Sequence, residues 1–135
     1  MAGICNFSIG DWELHVERML MQSSSTAAAA VALSPDGRRL AASFGDDSIS
    51  VWTASTGQPL HHFESSGGPV SSIIFSTDSQ RIFAGTVRGM ICVWNAQSGA
   101  LECSMIGHRG RVHDIALAGE SGIALSVSAD HTVRV

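Results

Sequence analysis

Ile49-Ser50-Val51-Trp52 and Ile91-Cys92-Val93-Trp94 are two copies of one short apolar phrase, and their tryptophans lie 42 residues apart. A third copy, His131-Thr132-Val133-Arg134-Val135, stands where this spacing predicts it. The spacing puts the third tryptophan one residue beyond Val135, so we expect this repeat to be incomplete. A fixed period of this length indicates a repeat architecture in which each period forms one structural unit.

A turn recurs at the same spacing. Ser34-Pro35-Asp36-Gly37 is followed 42 residues later by Ser76-Thr77-Asp78-Ser79, and after another 42 by Ala118-Gly119-Glu120-Ser121. Short apolar runs flank each turn, as Ile73-Ile74-Phe75 and Ile82-Phe83-Ala84 do in the second period. Runs this short, bounded by Gly, Pro, Asp and Ser, predict buried strands, because a helix would need about ten or more periodic residues.

Each full period therefore predicts four strands. One precedes the turn, one follows it, one ends at the tryptophan, and the fourth covers Leu60–Phe63 or Leu101–Ile106. Four strands in a period of about 40 to 45 residues are typical of a β-propeller blade. We expect an all-β propeller with about two complete four-stranded blades plus part of a third, in a ring that this chain does not close.

These motifs resemble the WD40-repeat family over about Ser23 to Val135. The resemblance rests on Gly107-His108 followed by Val112, on the turn Ser34–Gly37 and on the segment Ser126–Val135. It implies a WD40-type propeller with repeats at residues 23–64, 65–106 and 107–135, the last of which ends before its tryptophan.

The resemblance also implies a hydrogen-bonded network in each blade, formed by a histidine, a strand hydroxyl, a turn aspartate and the tryptophan. In the third repeat these roles fall on His108, on Ser126 or Ser128, and on Asp130. The first two repeats retain part of the set, namely Asp46, Trp52, Thr86 and Trp94.

Both of these repeats also depart from the network. Ser24 and Ser66 occupy the histidine positions, Ala42 and Phe44 stand where the first repeat should carry a hydroxyl, and Arg88 replaces the second aspartate. We expect the blades to form regardless, because burial of the apolar strands contributes more than these hydrogen bonds.

Residues 1–22 lie outside the clear register. Trp12, Leu14 and Val16 alternate with polar residues as in a half-buried strand, although Trp12, Val16, Met19 and Leu20 also fit one helical face. We favour a strand over Trp12–Leu20. The resemblance implies that it completes the last blade by strand addition, and a strand of an earlier, decayed blade is the alternative.

Composition narrows the class of protein. Eight Arg, no Lys and 12 acidic residues give a net charge of −4, which argues against the phosphate attraction used in nucleic-acid binding. Neither a secretion signal nor an apolar stretch long enough to cross a bilayer is evident, so we expect an intracellular protein, cytoplasmic or nuclear. Cys5, Cys92 and Cys103 lack paired spacing and are expected to be reduced thiols.

The sequence offers no constellation for catalysis, a cofactor or a metal. The absence of Lys removes Schiff-base chemistry, and no Gly-x-Ser-x-Gly or His-Glu-x-x-His motif occurs. His61 and His62 are adjacent on a predicted strand and therefore point to opposite faces. Asp46 with Asp47 is the one paired-carboxylate candidate, and a tight turn accounts for it. We predict no catalytic residue, no cofactor and no metal site.

The predicted function is that of a non-catalytic protein-protein interaction scaffold, because WD40-like proteins present rigid loop surfaces to other proteins. The top loops would carry the candidate partner-binding residues Arg88, Arg109, Arg111, His113, His131 and Asp47. Arginine favours an acidic or phosphorylated peptide as the partner. The alternatives are an enzyme or ligand-processing propeller with a channel site and, less favoured, a nucleic-acid reader. We expect the chain to need further blades or self-association for stability.

Overall fold

The computed structural model describes residues 6–9, 12–15 and 30–135. Over these residues the protein is built of β-strands arranged in four antiparallel sheets. The smallest sheet is a hairpin of β1 (Asn6–Ile9) and β2 (Trp12–His15). Strand β2 covers the start of the segment predicted to be extended, and residues 16–29 lie outside the described part. The blade-completing role of residues 1–22 stays a prediction.

Three sheets follow in chain order, and we call them blades 1, 2 and 3. Blade 1 consists of β3 (Ala30–Leu33), β4 (Arg39–Ser43), β5 (Ser48–Thr53) and β6 (Pro59–Glu64). Blade 2 consists of β7 (Val70–Phe75), β8 (Arg81–Thr86), β9 (Met90–Asn95) and β10 (Leu101–Ile106). Blade 3 consists of β11 (Val112–Ala118), β12 (Ile123–Ser128) and β13 (Val133–Arg134).

Within each blade every strand pairs with its neighbours in the sequence, so each blade is a simple meander. The innermost strands of adjacent blades also touch, since β3 contacts β7 and β7 contacts β11. The predicted all-β propeller with two four-stranded blades and part of a third is therefore confirmed. The repeat boundaries at residues 23, 65 and 107 stay predictions.

The turn between the first two strands of a blade is held by a serine and an aspartate. Ser34 Oγ donates to Asp36 Oδ1 over 2.6 Å, and the backbone N–H of Arg38 donates to the same oxygen over 2.9 Å. Ser76 and Asp78 repeat this arrangement in blade 2. The serine hydroxyl is the main reason why the pKa of each of these aspartates lies below its ordinary value. The local Ser-x-Asp pattern thus supplies the side-chain hydrogen bonds of this turn.

Blade 3 lacks this pattern and folds its turn differently. Ala118 stands in the serine position and Glu120 in the aspartate position, so the pair cannot form. The chain instead makes a short 3-10 helix over Gly119–Ser121, and Gly122 follows it with a φ of 68°. Ser121 Oγ donates to the carbonyl of Ala118 at this turn.

The core lies between blades 1 and 2. Its buried residues are Ala41, Ile49, Val51 and Phe63 of blade 1, and Val70, Phe75, Ile82, Ala84, Cys92, Trp94 and Ala96 of blade 2. The Trp94 ring stacks on Phe63 with centroids 5.5 Å apart and planes 9° apart. Because large aromatic rings bury more apolar surface than other side chains, this contact is a major part of what joins the two blades.

Gly89 lies where the β8–β9 turn of blade 2 passes against blade 3. Its φ is 83°, and a methyl group added at this position would stand 2.3 Å from the carbonyl oxygen of His108. Gly37 has a similar φ of 71°, but nothing lies within 4 Å of the same added group. The two glycines therefore separate the cost of backbone strain from the cost of a clash between blades.

We predict that Gly89→Ala lowers the free energy of unfolding by about 3 kcal/mol or more, because strain and clash add. Gly37→Ala should cost only the strain, about 1 to 2 kcal/mol. Urea unfolding of both variants beside the wild type measures the difference. Equal losses in the two variants would mean that the contact between blades 2 and 3 is loose.

Candidate partner-binding face and the polar network beneath it

His108 stands at the centre of a polar network in blade 3. It is buried in the loop before β11, its Nε2 atom lies 2.8 Å from Ser126 Oγ, and its Nδ1 atom lies 3.0 Å from Asp130 Oδ2. Since a carboxylate only accepts, the neutral imidazole that fits this pair donates from Nδ1 and accepts at Nε2. The structure thus brings His108, Ser126 and Asp130 together.

Asp130 also fixes the surrounding backbone. Its Oδ1 atom accepts from the hydroxyl of Thr132 over 2.6 Å and from the Thr132 N–H over 3.0 Å. Its Oδ2 atom accepts from the Arg109 N–H over 2.9 Å. The Thr132 hydroxyl, followed by the Arg109 N–H and His108, holds the pKa of Asp130 well below its usual range. One carboxylate therefore ties the β12–β13 turn to the loop before β11.

The two candidate hydroxyls of this network have different roles. Ser126 contacts His108, whereas Ser128 Oγ donates to the carbonyl of Gly110 over 2.9 Å. The backbone N–H of Asp130 donates to Ser128 Oγ over 3.2 Å. Sequence reasoning missed Thr132, although the same spacing occurs in Asp46-Asp47-Ser48, and this shared Asp-x-Ser/Thr pattern could have revealed it.

Blade 1 retains the aspartate but replaces the rest of the network with aromatic packing. Asp46 Oδ1 accepts from the Ser48 hydroxyl over 2.6 Å and from the Ser48 N–H over 2.9 Å, and the hydroxyl lowers the pKa of Asp46. Trp52 is buried and meets Phe44 edge to face, with ring centroids 6.4 Å apart. Phe44 occupies the position where a hydroxyl was expected, so an apolar contact replaces a polar one.

Blade 2 satisfies the same backbone donors with different acceptors. The Met90 N–H donates to the buried Thr86 Oγ1 over 3.1 Å, and the Gly67 N–H donates to Ser65 Oγ over 3.1 Å. Arg88, which stands in the aspartate position, is therefore not needed to cap the turn. Its side chain lies across Gly68, where an added methyl group would stand 3.2 Å from Arg88 Nε.

The turns and loops at this end of the blades form one continuous surface, which we call the top face. It comprises the turns 44–47, 87–89 and 129–132 and the loops 65–69 and 107–111. The Val87 N–H donates to the Pro69 carbonyl and, 42 residues later, the Ala129 N–H donates to the Arg111 carbonyl, each over 2.9 Å. The Ser65 N–H likewise donates to the carbonyl of Asp47. Backbone hydrogen bonds thus fix each turn against its neighbouring loop.

Charge is distributed unevenly over the top face. Arg88, Arg109 and Arg111 are exposed, and none of their guanidinium groups pairs with a carboxylate within the described residues. The close approach of Gly89 to His108 brings the turn of Arg88 against the loop of the other two arginines. The remaining candidates are also exposed: His131 in the next turn, His113 at the start of β11, and Asp47 in the turn of blade 1.

Neither a metal centre nor a membrane-crossing helix is evident in residues 30–135. No group of three or more His, Cys, Asp and Glu side chains there could hold a metal ion. Cys92 is buried, Cys103 is exposed, and both are free thiols. In the described part of the chain, no helix has the length and apolar character needed to cross a membrane.

The blades and their recurring turns define a β-propeller built from WD-type repeats. The sequence profile of the WD40 family, described as WD domain, G-beta repeat, matches residues 19–53, 57–95 and 99–135. The chain belongs to the WD40-repeat family. The matched stretches are offset from the blades. Residues 57–95, for example, contain β6 of blade 1 together with β7, β8 and β9 of blade 2.

Two solved structures show the same fold. The crystal structure of RRP9 WD40 repeats superposes with a TM-score of 0.78 at 23% identity, and the structure of U3-55K with a TM-score of 0.77 at 24% identity. Each superposition covers 83% of this chain but only 36% of the other, so the chain spans about a third of their length. No curated protein shows significant similarity to the chain.

We predict that His108→Ala costs about 1 to 3 kcal/mol of unfolding free energy, because it leaves the buried Ser126 hydroxyl without its hydrogen-bond partner and removes one of the hydrogen bonds to Asp130. His113→Ala is the matched control and should cost little, since that side chain is exposed. Chemical denaturation measures both variants. An unchanged midpoint for His108→Ala would argue that the network does not stabilise the blade.

We also predict that Asp130 makes stability depend on pH. Its pKa in the folded chain lies below its unfolded value of about 3.9, so its contribution is present at neutral pH and is lost as pH falls below about 5. Asp130→Asn should therefore be less stable at pH 7 and lose less stability between about pH 5 and pH 3. Unfolding curves at several pH values, with Glu64→Gln as the exposed control, test this.

Proposed function

We propose that the chain is part of a non-catalytic interaction scaffold whose top face binds an acidic or phosphorylated segment of a partner protein. The observation that carries the proposal is the replacement at Arg88. Elsewhere in the chain this turn position holds an aspartate that caps backbone N–H groups, whereas in blade 2 Thr86 and Ser65 accept from those groups. The turn therefore does not need residue 88 for capping, and the Arg88 guanidinium pairs with no carboxylate among the described residues.

Arg109 and Arg111 extend this positive patch from the neighbouring loop. Their backbones are fixed, because the Arg109 N–H donates to Asp130 and the Arg111 carbonyl accepts from Ala129. Their side chains are exposed. Fixed backbones reduce the entropy lost on binding, and guanidinium groups suit bidentate contact with carboxylate or phosphate. On a protein of net charge −4, a local patch of this kind also selects where an anionic segment docks.

The absence of enzymatic activity is part of this proposal. It is supported by the sequence, which lacks the nucleophile and acid-base motifs, and by the use of His108 inside a structural network.

The exclusion of nucleic acid rests on the overall charge alone, and an arginine patch attracts phosphate from any source. The binding experiment therefore includes a nucleic-acid arm. An intracellular location is also proposed, on the sequence features given above.

We predict that Arg109→Glu with Arg111→Glu weakens binding of an acidic probe by at least about tenfold, with little change in stability, because exposed charges contribute little to folding. The probe is a short peptide that alternates phosphoserine and glycine, with the serine-glycine peptide as the uncharged reference. Arg38→Glu is the matched control, since Arg38 is exposed at the opposite end of β4. Fluorescence anisotropy at physiological salt gives the dissociation constants.

Three results would count against the proposal. A loss of binding free energy in the double variant that is only about twice the loss in Arg38→Glu would mean that net charge alone matters, because two substitutions change the net charge twice as much as one. Undiminished binding by the folded double variant would place the site elsewhere. Tighter binding of a single-stranded oligonucleotide of the same length, lost in the double variant, would mean that the patch reads nucleic-acid phosphate rather than a protein segment.

A further inference from the structure

Charge changes sign across the top face between blade 1 and blade 2. The turn of blade 1 carries Asp46 and Asp47, and Glu64 ends β6 at the same end of the blade. The position 42 residues after Asp46 is Arg88 of blade 2. Asp47 and Glu64 are exposed, and neither carboxylate pairs with a cation among the described residues. One side of the face is therefore acidic and the other is basic.

One short loop, residues 65–69, separates the acidic turn from the basic one. The Ser65 N–H donates to the Asp47 carbonyl over 2.6 Å at the start of the loop. The side chain of Arg88 lies across Gly68, near the end of the loop. Sheets that pack face to face lie about 10 Å apart, so about three residues of extended chain span the step from one blade to the next. A short peptide is therefore long enough to contact both charges.

The loop itself is a neutral surface between the two charges. Its sequence is Ser-Ser-Gly-Gly-Pro, without a charged or long side chain. Two hydrogen bonds fix it in place: the Gly67 N–H donates to Ser65 Oγ, and the Val87 N–H donates to the Pro69 carbonyl. A bound segment can therefore cross the loop without displacing a side chain.

A uniformly acidic segment cannot use the whole face. Its charges would be attracted by the arginine patch of Arg88, Arg109 and Arg111, but they would be repelled by Asp46 and Asp47 in blade 1. Like charges placed together weaken a complex and exclude wrong partners. A lysine or arginine over blade 1 would instead gain an ion pair. The face thus favours a segment whose own charge changes sign.

We propose that the top face recognises a partner segment in which a basic group and an acidic or phosphorylated group are separated by about three neutral residues. This inference rests on the function proposed above and adds the requirement for a basic group. The acidic group contacts the arginine patch, the neutral residues cross the loop 65–69, and the basic group contacts Asp47 and Glu64. Asp47 thereby determines specificity, because it attracts the basic group and repels an acidic group in its place.

Asp47 is the residue to alter, because its carboxylate does not hold the turn. Asp46 Oδ1 accepts from the hydroxyl and the N–H of Ser48, so that carboxylate is structural. Asp47 contributes its backbone carbonyl, and its carboxylate makes no hydrogen bond among the described residues. Asp47→Asn removes one charge and keeps the size of the side chain. Glu120→Gln is the matched control, since it makes the same change of charge at an exposed site in the 3-10 helix, at the opposite end of blade 3.

The test compares the binding of two labelled peptides of equal composition and net charge to the full chain. In the segregated peptide two lysines are followed by three glycines and two phosphoserines, whereas in the interleaved peptide each end carries one lysine and one phosphoserine. We expect the wild type to bind the segregated peptide about threefold to fivefold more tightly, since exposed ion pairs contribute about this much. Asp47→Asn should lower this ratio by about half or more. Asp47→Glu, which keeps the charge, and Glu120→Gln should retain it. Fluorescence anisotropy at physiological salt gives the dissociation constants.

Two results would overturn the inference. A ratio near one for the wild type would show that the face does not distinguish segregated from interleaved charge. Equal falls of the ratio in Asp47→Asn and Glu120→Gln would exclude Asp47 as the residue that determines specificity. The peptide of phosphoserine and glycine separates these failures from failure of the proposed function. If that peptide binds through Arg109 and Arg111 while the ratio is near one, only this inference is wrong, and if it does not bind at all, both are wrong.

Discussion

Burial of apolar strands between adjacent blades is the interaction on which the rest of this structure depends. Trp94 of blade 2 stacks on Phe63 of blade 1, and the buried core around them draws on β4 to β9. The polar networks are secondary, because blades 1 and 2 both lack the histidine and still form complete four-stranded sheets. This order follows from the small net contribution of a single hydrogen bond compared with the burial of large aromatic surfaces.

Because the polar networks contribute less to stability than apolar burial does, the residues that form them can differ from blade to blade. The three blades meet the needs of one turn in three ways: Asp130 with His108 and Thr132, Asp46 with Ser48, and Thr86 with no aspartate at all. A buried N–H must find an acceptor, but which residue supplies that acceptor can change. In blade 2, where Thr86 accepts from the turn, an arginine occupies the aspartate position. The turn therefore forms without a carboxylate at that position.

Much of this architecture could be predicted because its causes are local and periodic. The turns follow from Ser-x-Asp spacing, and the strands follow from short apolar runs at a period of 42 residues. The sequence could not decide whether Ser126 or Ser128 is the partner of His108. Residues two apart on a strand face the same side, and only their positions in three dimensions distinguish them. Exposure of β10 was also beyond prediction, because its Leu, Cys, Met and Ile read as a buried strand. Whether a neighbour covers a strand is a property of the assembled blades.

The offset between the matched repeats and the blades has an evolutionary consequence. Residues 57–95 contribute the last strand of one sheet and the first three of the next, so the sequence unit and the structural unit share a length but not a starting point. A duplication of 42 residues therefore inserts one full complement of four strands wherever in the unit it begins. No orphan strand results. Unequal recombination can therefore change the number of blades that such a gene encodes, even when the breakpoints do not coincide with the boundaries of a blade.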